Sequence, residues 1–87
     1  MYIKPVEIFS DESNAAIMRH PGRHFPGCLI QGDSLSILVS SLTVVQSEAN
    51  CLSEDAAGEL ADVAERLSEI LEHYKAVLLS HNIALPF

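Results

Sequence analysis

The chain has few basic residues for its length. Five lysines and arginines stand against twelve aspartates and glutamates among 87 residues, so the net charge is −7. Because an acidic protein repels phosphates, this balance argues against duplex nucleic acid as a partner. Most of the acidic residues fall in the C-terminal half, where they predict an acidic helix face. This face is most simply a solvated surface, and its functional alternative is the attraction of a basic partner protein.

Long apolar segments are also absent. The best run, residues 35–45, is interrupted by serine and threonine, and it falls well short of the roughly 20 residues that cross a bilayer. The first seven residues lack the basic and then apolar pattern of a secretion signal. We therefore expect a cytoplasmic protein that does not associate with membranes.

Cysteine is scarce, with Cys28 and Cys51 as its two examples. In a reducing compartment two cysteines are expected as buried thiols rather than as a disulfide. Cys28 lies beside Leu29 and Ile30, and such an apolar run predicts a place in the core.

The sequence predicts one domain over residues 1–87, with a β-rich part at 1–32 and a helical part at 33–87. Residues typical of strands, separated by turn residues, predict a small antiparallel sheet of two or three strands with a bulge at Pro26-Gly27. The predicted strands span residues 2–9, 15–20 and 25–31.

The helical part predicts two helices. Asp33 is the expected N-cap of the first helix, which spans about 34–48. Glu54 and Asp55 mark the first turn of a second helix over 53–80. The fold class is therefore α+β, with the sheet followed by an antiparallel hairpin of two helices, the second of them long.

The second helix has an apolar stripe wide enough to contact two partners. At about 42 Å the predicted helix is longer than a compact domain of this size, which measures about 30 Å. Apolar residues make up 48% of the chain, more than so small a domain easily buries. These features predict a homodimer with a four-helix core; the alternative is a bent or shorter helix in a monomer. The dimer and core stripe comprises Leu60, Val63, Leu67, Ile70, Leu71, Tyr74 and Leu78.

The segment 19–27 is the one candidate site. It holds two Pro-Gly pairs, and Pro21-Gly22 predicts a type II turn. Two arginines that flank a turn can bind one carboxylate or phosphate. The alternative is that both arginines pair with acidic residues of the chain, such as Asp11, Glu12, Asp33 or the acidic helix. The candidate ligand-binding residues are Arg19, His20, Arg23 and His24.

Phe25 lies between the two turns of this segment. It is expected to anchor the core, whereas an exposed phenylalanine at this position would mark a binding surface.

No pattern identifies a catalytic residue, a metal centre or a cofactor. His20, His24 and Cys28 are spaced like ligands on a helix, but Pro21 and Pro26 prevent that helix. Solvated histidines are favoured over a metal site, and no Gly-x-Ser-x-Gly motif accompanies the serines. Enzymatic activity is left undecided, with its absence favoured.

Residues 14–35 resemble the signature of a family of small bacterial proteins of unknown function. The resemblance begins with Val-Glu-Ile-Phe at 6–9 and continues through Arg-His-Pro-Gly-Arg-His-Phe-Pro-Gly to Gln-Gly-Asp-Ser-Leu. It covers residues 1–38 and implies a bacterial, cytoplasmic protein. It brings no activity, cofactor or substrate.

The expected function is a non-enzymatic protein–protein interaction module that forms a homodimer. An immunity protein that masks the basic active site of a toxin is one concrete version by analogy. The alternative is a protein that binds an anion or another small ligand, or an enzyme, with its site at the Arg19/Arg23 loop.

Overall fold

The computed structural model describes Met1–Phe87 and divides into two compact units, a sheet unit (Met1–Gln31) and a helical unit (Gly32–Phe87). Three strands precede two helices, which confirms the predicted α+β class. The elements are β1 (Glu7–Ser10), β2 (Ala15–Arg19), β3 (Gly27–Ile30), α1 (Gly32–Ser47) and α2 (Glu54–Ser80).

The sheet is an antiparallel meander in the order β1-β2-β3. It therefore has three strands, where two or three were predicted. β1 is shorter than predicted and begins after Pro5, which has no N–H to donate to a neighbouring strand. The register of β2 with β3 is regular, so the bulge predicted at Pro26-Gly27 is not seen there; the register shifts instead in β1, between Ile8 and Ser10. β3 begins at Gly27, after the proline, and therefore needs no bulge to accommodate it.

A tight turn opens the connection from β2 to β3. Gly22 has a φ of 85°, and the backbone N–H of Arg23 donates to the carbonyl of His20 at 3.0 Å. Proline at the second position and a positive φ at the third give the predicted type II turn. The turn fixes the backbone on which His20 and Arg23 stand.

Both helices begin near their predicted first residues. Ser53 is the N-cap of α2, and its side chain accepts a hydrogen bond from the backbone N–H of Ala56 at 3.2 Å. The prediction of Asp33 as an N-cap is wrong, because α1 already begins at Gly32 and Asp33 lies in the first turn. Its Oδ1 still accepts from the N–H of Ser34 at 2.9 Å.

The C-terminal end of α2 is closed by backbone hydrogen bonds. Asn82 has a φ of 56°, a conformation that asparagine tolerates better than most residues. The N–H of Ile83 donates to Leu78 at 2.9 Å and that of Asn82 to Leu79 at 3.1 Å, which is the Schellman pattern. α2 is therefore one continuous helix of 27 residues, about 40 Å long.

Very little of the chain is buried. Leu35, Ala64 and Leu71 are the buried apolar side chains, with exposed fractions of 6, 9 and 5%. The sheet unit buries no residue. Neither helix is both long enough and apolar enough to cross a membrane.

The predicted stripe of α2 separates into two rows. The side chains of an inner row are buried or half-buried. The side chains of an outer row, whose members are spaced seven residues apart, remain exposed. The inner row comprises Leu60, Ala64, Leu67, Leu71, Tyr74 and Leu78. The outer row comprises Val63, Ile70 and Val77.

Gly32 lies against Tyr74, and a Cβ on Gly32 would overlap the tyrosine ring. We predict that Gly32→Ala lowers the free energy of unfolding by about 1–3 kcal/mol, because the ring must move from its place. Gly58 in α2 is different, since no atom lies within 4 Å of the position that a Cβ on Gly58 would occupy. Gly58→Ala should therefore raise the free energy of unfolding by about 0.5–1 kcal/mol through helix propensity.

Chemical denaturation of both variants at one protein concentration measures these changes. Equal effects of the two alanine substitutions would contradict the contact between Gly32 and Tyr74.

Candidate functional site

An open pocket of about 620 Å³ lies in the sheet unit, where the connection from β2 to β3 meets the ends of these strands. We call it the loop pocket. It brings together three of the four predicted ligand-binding residues, His20, Arg23 and His24. The lining residues are Met18, His20, Arg23, His24, Phe25, Gly27, Cys28 and Leu29.

Strand register creates part of this space. Met18 of β2 pairs with Gly27 of β3. Gly27 has no side chain, and no atom lies within 4 Å of the position that its Cβ would occupy. The pair therefore leaves a hollow beside Met18.

The charge of the loop pocket is opposite to that of the chain. No aspartate or glutamate lines it, although the chain contains twelve. The guanidinium of Arg23 forms no hydrogen bond or ion pair within the chain. A cationic group without an internal partner is therefore available at the pocket.

Phe25 stands at this pocket with 77% of its surface exposed. Its expected role as a core anchor is wrong, because the sheet unit forms no buried core that would receive the ring. The ring packs edge-on against His24, with centroids 4.6 Å apart. An exposed aromatic side chain is the feature expected of a binding surface.

Arg19 has a different environment from Arg23. It lies opposite Glu7 in the sheet register, and its Nη2 is 2.7 Å from both Oε1 and Oε2 of that carboxylate. Its Nε adds a third hydrogen bond to Oε1 at 3.0 Å. The partner is therefore Glu7 and none of the acidic residues expected from the sequence.

This pairing divides the predicted roles of the two arginines. Arg19 does not line the loop pocket; it lines a neighbouring hollow of about 300 Å³ together with His20 and Arg23. A guanidinium already bound to a carboxylate has fewer donors left for a ligand. The geometry favours a structural role for Arg19 and leaves Arg23 as the available cation.

Cys28 is exposed, as is Cys51, and both thiols are free. The expectation that they are buried is wrong. Cys28 lies on β3, an edge strand that nothing in the sheet unit buries, and Cys51 lies in the connection between the two helices. No group of three or more histidine, cysteine, aspartate or glutamate side chains is arranged to hold a metal ion.

Sequence reasoning missed Glu7, Met18, Gly27 and Leu29 as parts of this region. Their contributions depend on which residues face one another across strands. Alternation along a single strand does not contain that information.

Fold and pocket together define a small α+β protein with an open, acid-free pocket at a Pro-Gly loop. Over residues 1–87 the chain matches a family of unknown function, DUF6959, and it belongs to that family. The match confirms the expected membership of a family of unknown function and extends beyond residues 1–38 to the whole chain. No curated protein and no solved structure matches the chain.

The two arginines should differ in their effect on stability. We predict that Arg19→Gln lowers the stability of the sheet unit by up to about 1 kcal/mol, the upper range for a half-exposed ion pair. Arg23→Gln should change it by less than about 0.5 kcal/mol. Hydrogen exchange of the β1 and β2 amides measures both effects.

Glu7→Gln and the combined variant Arg19→Gln/Glu7→Gln complete a double-mutant cycle. The loss from Arg19→Gln should shrink when Glu7 is already glutamine. Additive losses would contradict an energetic coupling between Glu7 and Arg19.

Proposed function

We propose that this protein is a non-enzymatic protein–protein interaction module that forms a homodimer through its helical unit. The observation that supports the proposal best is the outer row of α2. Val63, Ile70 and Val77 expose 47, 56 and 38% of their surfaces, although they stand on a well-capped helix beside a helical neighbour. Exposed apolar side chains that repeat every seven residues along one side of a helix favour a protein interface.

The composition of α1 supports the same conclusion. Asp33 is the single charged residue among its 16 positions, and the remainder are uncharged, mostly aliphatic residues and serines. A helix that faces water on one side normally carries charged residues there. Instead, Ile37 and Val44 are 67 and 60% exposed. Such a helix is suited to contact with another apolar surface.

An antiparallel arrangement of the helices is part of the proposal. The connection between Ser47 and Glu54 is short, as in helical hairpins. The contact of Gly32, the first residue of α1, with Tyr74 in the C-terminal half of α2 also supports it. In an antiparallel pair the helical periodicity places Leu38 and Val45 of α1 on the same side as the outer row.

These residues together form one apolar surface, which we call the outer face. All of its members are between 38 and 56% exposed. The outer face comprises Leu38, Val45, Val63, Ile70 and Val77.

A second copy of the chain is the partner that fits this surface. The seven-residue spacing of the outer row is the repeat by which long helices pack against each other. Two-fold symmetry pairs the row with itself and completes a four-helix core. Glu65 and Glu72 project from nearly the opposite side of α2 to Ile70, because of their spacing along the helix. These two carboxylates therefore stay in water, which reduces the repulsion between two chains of net charge −7.

Placing a charge on the outer face should separate the copies. We predict that the unaltered chain has twice the mass of 9.5 kDa in solution and that Ile70→Glu reduces this to the mass of one chain, because a carboxylate would be buried without a partner. Light scattering coupled to size-exclusion chromatography measures the mass.

Leu79→Glu is the matched control. Leu79 is 78% exposed and lies nine residues from Ile70, half a turn away around α2. The Leu79→Glu substitution should therefore leave the dimer intact. A single-chain mass for the unaltered protein at tens of micromolar, or equal dissociation by both substitutions, would overturn the proposal.

A further inference from the structure

We propose that the loop pocket binds a small molecule composed of an apolar, aromatic group and one anionic group, a carboxylate or a phosphate monoester. Arg23 would bind the anion, while Phe25, Met18 and Leu29 would contact the aromatic group. This site lies in the sheet unit and is independent of the outer face.

Arg23 is the group that determines the charge of the ligand. It is exposed, lines the pocket and has no acidic partner. The type II turn at Pro21-Gly22 fixes its backbone through the hydrogen bond from its N–H to His20. A guanidinium presents its donors in the planar arrangement that matches a carboxylate or phosphate.

The surrounding side chains determine the rest of the ligand. Phe25 and Leu29 are 77 and 52% exposed at the pocket, and Met18 stands beside the hollow at Gly27. Aromatic rings favour stacked or edge-on contacts with other rings. The volume of about 620 Å³ falls within the ordinary range for small-molecule sites, about 300–1,000 Å³.

The absence of acidic side chains from the lining argues against a cationic ligand. Elsewhere in the sheet unit the other arginine is neutralised by Glu7. Arg23 thus remains unneutralised in a strongly acidic chain, at the mouth of an apolar hollow. The unpaired charge of Arg23 and the apolar lining of the pocket together favour an amphiphilic anion over a neutral apolar molecule or a bare inorganic ion.

Phenylacetate and phenyl phosphate are the probes that distinguish the two anionic groups. Each is titrated into the full, ¹⁵N-labelled chain, and amide chemical shifts are followed. Benzyl alcohol lacks the charge and inorganic phosphate lacks the ring. We expect at least one aromatic anion to shift the amides of residues 18 and 23–29 saturably, and to bind at least about tenfold more tightly than either control compound.

Arg23→Gln tests the proposed anchor. It should weaken binding of the aromatic anion by about tenfold or more, the effect of losing a charge-assisted hydrogen bond. Arg66→Gln removes the same charge from the exposed surface of α2 and should leave the affinity unchanged.

Gly27→Val tests the hollow. The space at Gly27 is open and its φ is not positive, so the valine fits the backbone and occupies the pocket. It should abolish binding while the β2 and β3 amide spectrum retains its dispersion.

No saturable shift at millimolar concentrations of either aromatic anion would overturn the proposal. Equal losses from Arg23→Gln and Arg66→Gln would do the same, because they would indicate attraction by overall charge. The mass of the protein is measured in parallel, so loss of the dimer and loss of ligand binding are separate results.

Discussion

Two packed helices can cover only one face of each other, and this constraint governs the helical unit. Its inner row is covered by α1, yet Leu35, Ala64 and Leu71 are the only large or small apolar side chains that become buried, and each keeps 5–9% of its surface exposed. Apolar residues continue around both helices beyond that contact. A third layer is needed before these side chains leave water. In the proposed homodimer a second copy of the chain supplies that layer, because its outer face has the same length and the same spacing of apolar residues.

The sheet unit is held together by other means, because it has no buried core. Its local structure depends on the Pro21-Gly22 turn and on the cross-strand pair of Arg19 with Glu7. The same two features place the loop pocket: the turn fixes Arg23, and the pair occupies the other arginine. Two arginines that look equivalent in the sequence thus differ in the structure: Arg19 is paired with Glu7, and Arg23 is the proposed ligand-binding residue.

The helices could be predicted well from the sequence, because helical periodicity and caps are local. Ser53 caps α2 and the stripe from Leu60 to Leu78 continues without a break. Burial could not be predicted equally well. Phe25 and Cys28 are residue types that are typical of a core. They are buried only if another element of the tertiary structure packs over them. The apolar residues beside them in the sequence do not show whether such an element is present.

The sequence points to the loop at which the pocket lies, but not to the full set of residues that line the pocket. Proline and glycine determine the turn locally, so His20, Arg23 and His24 could be grouped from the sequence. The partner of Arg19 and the hollow at Gly27 depend on strand register, which places Glu7 opposite Arg19 and Met18 opposite Gly27. Register is settled by the sheet as a whole. Isotope-filtered NOE spectroscopy on a mixture of labelled and unlabelled chains shows whether a second copy covers the outer face. A homodimer that forms through the outer face should give NOEs between chains at the methyl groups of Val63, Ile70 and Val77. Contacts between chains that avoid these methyl groups, or no contacts at all, would contradict it.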